Sequence, residues 1–202
     1  MIWVLISALQ AAVPIILAAE AGLIAERSGV VNLALEGMML TGAFVSMLAA
    51  HVAQNAWMGL VAGVGVGALL GLIHAYASVT WSADQIISAT GINVAAAGGT
   101  SFLLKAIFKQ SGTSPAVPPI PKLFSSSVAL VPGVGGFLAN ITFIDVVAYA
   151  LPFLLLWFYY STPLGLRVRS VGEKPEASES VGISVVRVRY VSTAVSGAVA
   201  GL

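Results

Sequence analysis

The stretch WMGLVAGVGVGALLGLIHAYASVTW, residues 57–81, contains no aspartate, glutamate, lysine or arginine. A helix over Trp57–Thr80, rising about 1.5 Å per residue, reaches about 36 Å, enough to cross a hydrocarbon layer of about 30 Å. Tryptophans stand at both ends, where an amphipathic indole favours the boundary between lipid and water. Within the run, Gly59, Gly63, Gly67 and Gly71 recur every fourth residue and so share one helix face. A ridge without side chains lets a neighbouring helix come close, which is how apolar helices gain contact inside a bilayer. A phosphate-cradling loop is the competing reading of GVGVGALLG. It fails because no Lys-Ser/Thr follows and the glycines lie inside an apolar run. The segment is read as a packing helix of a membrane bundle, and these residues offer no nucleotide loop of their own.

Composition extends that reading to the whole chain. Of its 202 residues 58% are hydrophobic and 8% charged, and the mean hydropathy is +0.98. A soluble domain carries roughly a quarter of its residues charged, so this one is expected to meet lipid. Four more apolar runs are long enough to span: Ile2–Ile24, Val30–Ala50, Ile86–Phe108 and Phe143–Tyr160. The first lacks a basic front end and a cleavage site leading to a soluble domain, so it reads as a retained helix rather than a signal peptide. A sixth run, Val191–Leu202, is too short to cross and looks cut off by the C-terminus. The expected architecture is all-α: one polytopic helical domain over 1–202, with about five full spans and a truncated sixth. A net charge of +1 suggests no nucleic-acid partner. The absence of cysteine excludes disulfides and thiol chemistry. His51 and His74 are too far apart and too poor in partners to suggest a metal, and no catalytic Ser/His/Asp or paired-carboxylate arrangement emerges.

Charge is concentrated in one place. The window from Arg167 to Arg189 holds eight charged residues (Arg167, Arg169, Glu173, Lys174, Glu176, Glu179, Arg187 and Arg189) of 17 in the chain. The 162–190 segment carries five of the nine lysines and arginines, so the positive-inside rule places it in the cytoplasm. Alternation then puts 25–29 and 81–85 inside, and 51–56 and the Pro/Gly/Ser-rich 109–142 loop outside. Leu123, Phe124 and Phe137 of that loop are suited to dipping into the interface. Within the charged window Pro175 suits a first helical turn. Glu176 and Glu179 suit the positive end of the helix dipole, and Gly182 suits a left-handed C-terminal cap. A short rigid helix over 175–181 is expected between two membrane helices, either to transmit force from a soluble partner or simply as part of a solvated loop.

The motif GEKPEASESVGISVVRVRYVSTAVSGAVAGL, residues 172–202, resembles the cytoplasmic coupling segment of ABC importer permeases. ERSGVVNLALEGMMLTGAF, residues 26–44, looks like the signature of their nucleoside and simple-sugar branch, related to the permeases for branched-chain amino acids. ISATGINVAAAGGTSFL, residues 87–103, is a weaker match. Ser178 stands where the family often has alanine, and Ala34 where it often has glycine. The resemblance implies an inner-membrane subunit of a bacterial cell that dimerises with a like permease and receives solute from an extracytoplasmic lipid-anchored binding protein. It would be driven by a separate ATPase that hydrolyses ATP with magnesium, leaving this chain a transport subunit without cofactor or catalytic site. It implies ATPase contact through Gly172, Glu173, Pro175, Ala177, Ser178, Gly182 and Ile183. Family members are longer, so further C-terminal spans are expected.

Polar residues inside spans are candidates for the solute path because burying them in lipid is costly. Glu36 lies four residues past Asn32, which on a continuous helix puts both on one face. They either line the path or hold an architectural turn. Ser88, Thr90 and Asn93 thread the fourth span, suited to a ribose or sugar and equally to interhelical bonding. Thr100 extends that thread. Asp84 reads as an N-cap. Glu26 and Arg27 read as interfacial, and Glu20 as snorkelling or paired with Arg27. The alternatives to an ATP-driven nucleoside or sugar permease are a branched-chain amino acid permease, an ATP-independent carrier, which needs coupling charges and often inverted repeats, and an intramembrane enzyme, for which Glu36 lacks a partner.

Overall fold

The computed structural model describes residues 2–109, 115–124 and 139–202. Among the described residues the chain is an all-α bundle: α1 (Ile2–Glu26), α2 (Leu35–Ala53), α3 (Ala56–Ala75, continued by a π-turn over Tyr76–Thr80), α4 (Gln85–Phe108), α5 (Phe143–Ser161), α6 (Pro163–Glu173), α7 (Pro175–Ser180) and α8 (Val185–Ala200). Five of these, α1 to α5, are long and apolar enough to cross a membrane.

The bundle is built outward from α3. Gly59, Gly63, Gly67 and Gly71 are all buried. A Cβ on Gly59 would fall 2.6 Å from the Ser46 carbonyl oxygen of α2, and one on Gly63 would fall 2.7 Å from that of Gly201 at the end of α8. At Gly67 and Gly71 a methyl group would run into the carbonyls of Gly197 and Thr193 on α8. The meshing is reciprocal, since a Cβ on Gly197 or Gly201 would strike the Gly67 or Gly63 carbonyl. So α3 is seated between α2 and α8 at backbone distance, while α1 packs on α8 and α5, and α4 on α2. Side chains fill the gaps between these layers: Ala21, Ala34, Met38 and Ala89 form one buried cluster, and Val13, Leu17 and Ala148 another.

Loops sort to two ends. At one, Trp57 meets Phe143 with ring centroids 5.7 Å apart, and His51 meets Phe108 at 5.5 Å. At the other, Gly172 lies against the Arg27 carbonyl and the hydroxyls of Thr80 and Tyr190 bond to each other. The turns at 25–29 and 81–85 therefore share an end with the 162–190 segment, as alternating spans require.

Three local features differ from the sequence expectation. The second span does not begin at Val30: residues 30–34 are non-helical and α2 starts at Leu35. The last helix begins at Val185 rather than Val191 and so includes Arg187 and Arg189. The stretch before the coupling motif is itself helical. Pro163 opens α6 and the Thr162 hydroxyl accepts from the Gly165 N–H at 3.1 Å, so only a tight corner separates α5 from α6. Leu123 and Phe124 are exposed; Phe137 lies outside the described residues.

Candidate functional site

The non-helical segment Val30–Ala34 is the centre of the candidate site. A chain that leaves helical geometry inside a bilayer exposes backbone groups that lipid cannot satisfy. Here side chains from three other helices supply the partners. The Val31 N–H donates to Gln85 Oε1 at 2.7 Å. The Val31 carbonyl lies 3.3 Å from His74 Nε2, and His74 Nδ1 lies 3.1 Å from Ser88 Oγ. A carbonyl can only accept, so His74 carries its proton on Nε2 and takes one from Ser88 on Nδ1. Asn93 Nδ2 donates to the Leu33 carbonyl at 3.0 Å, and Asn93 Oδ1 accepts from the Gly37 N–H at 2.7 Å. Asn32 folds back: its Oδ1 accepts from the Ala34 N–H at 3.1 Å, and its Nδ2 donates to Ser196 Oγ at 2.9 Å. Ser196 in turn donates to the Ala21 carbonyl at 2.6 Å, tying α8 to both sides of the break.

Depth follows from Asn93, which lies eight residues into α4. At about 1.5 Å per residue that is about 12 Å from the helix start. The first turn of α2 thus begins well inside the bundle, with its dipole's positive end and Glu36 at that level. Glu36 is exposed, as are its neighbours Leu33 and Leu40 and, on α4, Thr90 and Val94. Asn32 and Glu36 do not share a helix face: Asn32 precedes the helix and is buried at 4% exposure, whereas Glu36 points outward from its first turn. The five candidate path residues therefore divide by surroundings. Asn32, Ser88 and Asn93 are engaged in stitching the break, while Glu36 and Thr90 face open space. Among the described residues the Thr90 hydroxyl bonds only back to the Ile86 carbonyl, at 2.8 Å. Thr100 does likewise to Ala96, and Asp84 caps α4 through the N–H groups of Ile86 and Ile87.

The second part is the charged hairpin. Lys174, extended before a proline as sterics require, separates α6 from α7. Gly182 ends α7 with φ +83°, a left-handed conformation that disfavours side chains. Ser178 turns inward, buried at 3% exposure, with its hydroxyl donating to the Lys174 carbonyl. Glu173, Glu176, Ala177, Glu179 and Val181 face outward, Gly172, Pro175 and Ile183 are half-buried, and Gly182 is exposed. Gly172 has no room for a Cβ beside the Arg27 carbonyl, Gly29 takes φ +86° next to it, and Arg189 Nε donates to the Ser28 carbonyl at 3.3 Å. Backbone contact thus joins the hairpin to residues 27–29, which lead directly into the break. Among the described residues Glu20 is not paired with Arg27, and its buried Oε2 has no hydrogen-bond partner.

Sequence reasoning passed over Gln85, His74 and Ser196 as partners of the break. The only signal was a histidine and a serine in otherwise apolar helices, which does not say what they bond to.

The profile of the family described as "Branched-chain amino acid transport system / permease component" matches residues 4–202. The guanosine ABC transporter permease protein NupQ of Bacillus subtilis is 39% identical over 198 residues, covering 95% of this chain and 62% of the relative. TsgC13 of Haloferax volcanii, provisionally named a glucose ABC transporter permease protein, is 33% identical, covering 95% of this chain and 58% of its own length. The nucleoside ABC transporter permease protein NupC of Lactococcus lactis is 32% identical, covering 94% and 62%. The chain spans about three-fifths of the length of these curated relatives. No solved structure matches it.

Proposed function

Because the chain belongs to the family of branched-chain amino acid transport system permease components, we propose that it forms the membrane part of an ATP-driven importer for a nucleoside or simple sugar. The names of its relatives, guanosine, nucleoside and glucose permeases, support that order of substrates. The family description keeps a branched-chain amino acid as the second reading.

The observation that carries the mechanism is the contact path from the exposed hairpin to the break. An ATPase subunit gripping α7 would push on Glu173, Pro175, Ala177 and Gly182, with Gly172, Ser178 and Ile183 holding the hairpin's shape. Gly172 bears on the 27–29 turn and Arg189 holds it by hydrogen bond, so displacement passes into Val30–Ala34 rather than being absorbed by a flexible loop. Exposed beside the break are Glu36 and Thr90, which we assign to the solute path. A carboxylate and a hydroxyl suit a polyhydroxylated solute, and the helix start behind Glu36 favours negative charge there. In this reading ATP and magnesium are handled by the partner subunit. A second permease completes the pathway, a solute-binding lipoprotein supplies cargo from outside, and the location is the bacterial inner membrane with the hairpin in the cytoplasm.

The test is co-purification with the ATPase subunit, followed by uptake of guanosine, ribose and leucine into vesicles with and without ATP. Loss of the ATPase on Glu173→Ala or Gly182→Val, together with ATP-dependent nucleoside uptake, supports the proposal. Uptake that proceeds equally without ATP refutes it.

A further inference from the structure

A groove of about 480 Å³ separates the α5–α6 corner from the start of α8. Phe158, Leu164, Val188 and Val191 give it an apolar lining, and Arg167 and Arg187 line it too. Among the described residues no aspartate or glutamate lines it, although the same segment carries Glu173, Glu176 and Glu179. Those acids lie at the end of α6 and on α7, outside the groove's lining. A second cavity at this end, of about 310 Å³, contrasts with it: Arg27 and Arg169 there face Glu26 and Glu173, so its charge is balanced from within.

The groove also lies at headgroup level. Trp157 and Tyr160, exposed at the end of α5, are residues that anchor at the membrane–water boundary. On α6, Leu164 and Leu166 are exposed beside Arg167 and Arg169, the pattern of a helix lying in the interface. Apolar walls below two unneutralised guanidiniums match the two halves of an anionic phospholipid: acyl chain against Phe158 and Val191, phosphate against the arginines.

We propose that this groove binds an anionic phospholipid, which would sit against Val181 and Ile183 where they reach the groove and so brace the hairpin from behind. The inference is independent of the transport reading, because its readout needs neither ATPase nor solute.

The test is native mass spectrometry of the chain released from nanodiscs of phosphatidylcholine containing phosphatidylglycerol. Wild type should retain phosphatidylglycerol in preference to phosphatidylcholine. Arg167→Gln with Arg187→Gln should reduce that preference roughly thirty-fold, at about 1 kcal/mol per basic residue beside an anionic lipid. Arg167→Lys with Arg187→Lys should keep most of it. Lys174→Gln, which removes one positive charge outside the groove, should shift it by less than about twofold. Val191→Trp, which adds bulk to the apolar lining and leaves both arginines, should also expel the lipid; it stands in if the double glutamine variant fails to fold. Equal retention of both lipids would mean that the groove takes any acyl chain and would overturn the proposal. Unchanged preference in the double glutamine variant would overturn it too, as would displacement of the lipid by inorganic phosphate, which would mark a site for free anions.

Discussion

Replacing Asn93 with alanine should loosen the break more than any other single change in α4. Asn93 alone serves both the Leu33 carbonyl and the Gly37 N–H. Interhelical hydrogen bonds in membranes average about 0.6 kcal/mol in double-mutant cycles, so losing two sets a floor of about 1.2 kcal/mol. If neither backbone group finds a substitute, each costs about 1–3 kcal/mol, for a ceiling of about 6 kcal/mol. The Leu33 bond is exposed and the Gly37 bond half-buried, which favours the lower half, about 2–3 kcal/mol. Reversible unfolding in mixed micelles is the assay, with Thr90→Val as reference. The Thr90 hydroxyl bonds only within its own helix, so its loss should stay within about 0.5 kcal/mol. Asn93→Asp keeps the acceptor for Gly37 and, when ionised, lacks the donor for Leu33, so it should fall between. An Asn93→Ala variant as stable as Thr90→Val would refute the argument that side-chain stitching holds the break.

Other outcomes follow from the same geometry. Gly67→Ala forces a methyl group onto the Gly197 carbonyl and should cost about 1–3 kcal/mol or more in the same unfolding assay. Gly65→Ala, with nothing within 4 Å of the added atom, should be neutral or slightly stabilising. Gly182→Val places a β-branched residue at φ +83°, and should weaken ATPase co-purification while lowering stability by no more than the strain of about 1–2 kcal/mol. Glu36→Gln should leave stability within about 0.5 kcal/mol, since the side chain is exposed, and should reduce uptake by the reconstituted transporter. Because the chain has no cysteine, a single Glu176→Cys substitution can report sidedness: an impermeant thiol reagent should reach it only from the cytoplasmic face, and labelling from outside would reverse the assigned topology.

The five long helices were legible because length and hydropathy are additive along the chain and a bilayer reads both. The glycine ridge was legible because a spacing of four fixes one face whatever lies opposite. The break at Val30–Ala34 was legible only as one of two readings, an architectural turn at Asn32 and Glu36, and its extent was not, since four of its five residues are apolar and hydropathy is blind to whether a backbone turns helical. What interrupts the helix is a set of partners from Gln85, His74, Asn93 and Ser196, more than forty residues away in sequence. The same blindness led to placing Asn32 and Glu36 on a common face. The helix over Pro163–Glu173 was hidden for the opposite reason: its arginines resemble a solvated loop until Leu164, Val168 and Val171 are aligned on a helical period.

The reciprocal glycine contacts among α2, α3 and α8 have a kinematic corollary. Helices separated by side chains can slide as rotamers exchange, but helices touching carbonyl to Cα carbon have no such lubricant. The three should therefore travel as a single keel. Any rearrangement that opens one end and shuts the other has to bend at joints outside it, and the chain offers two, at Val30–Ala34 and at Lys174.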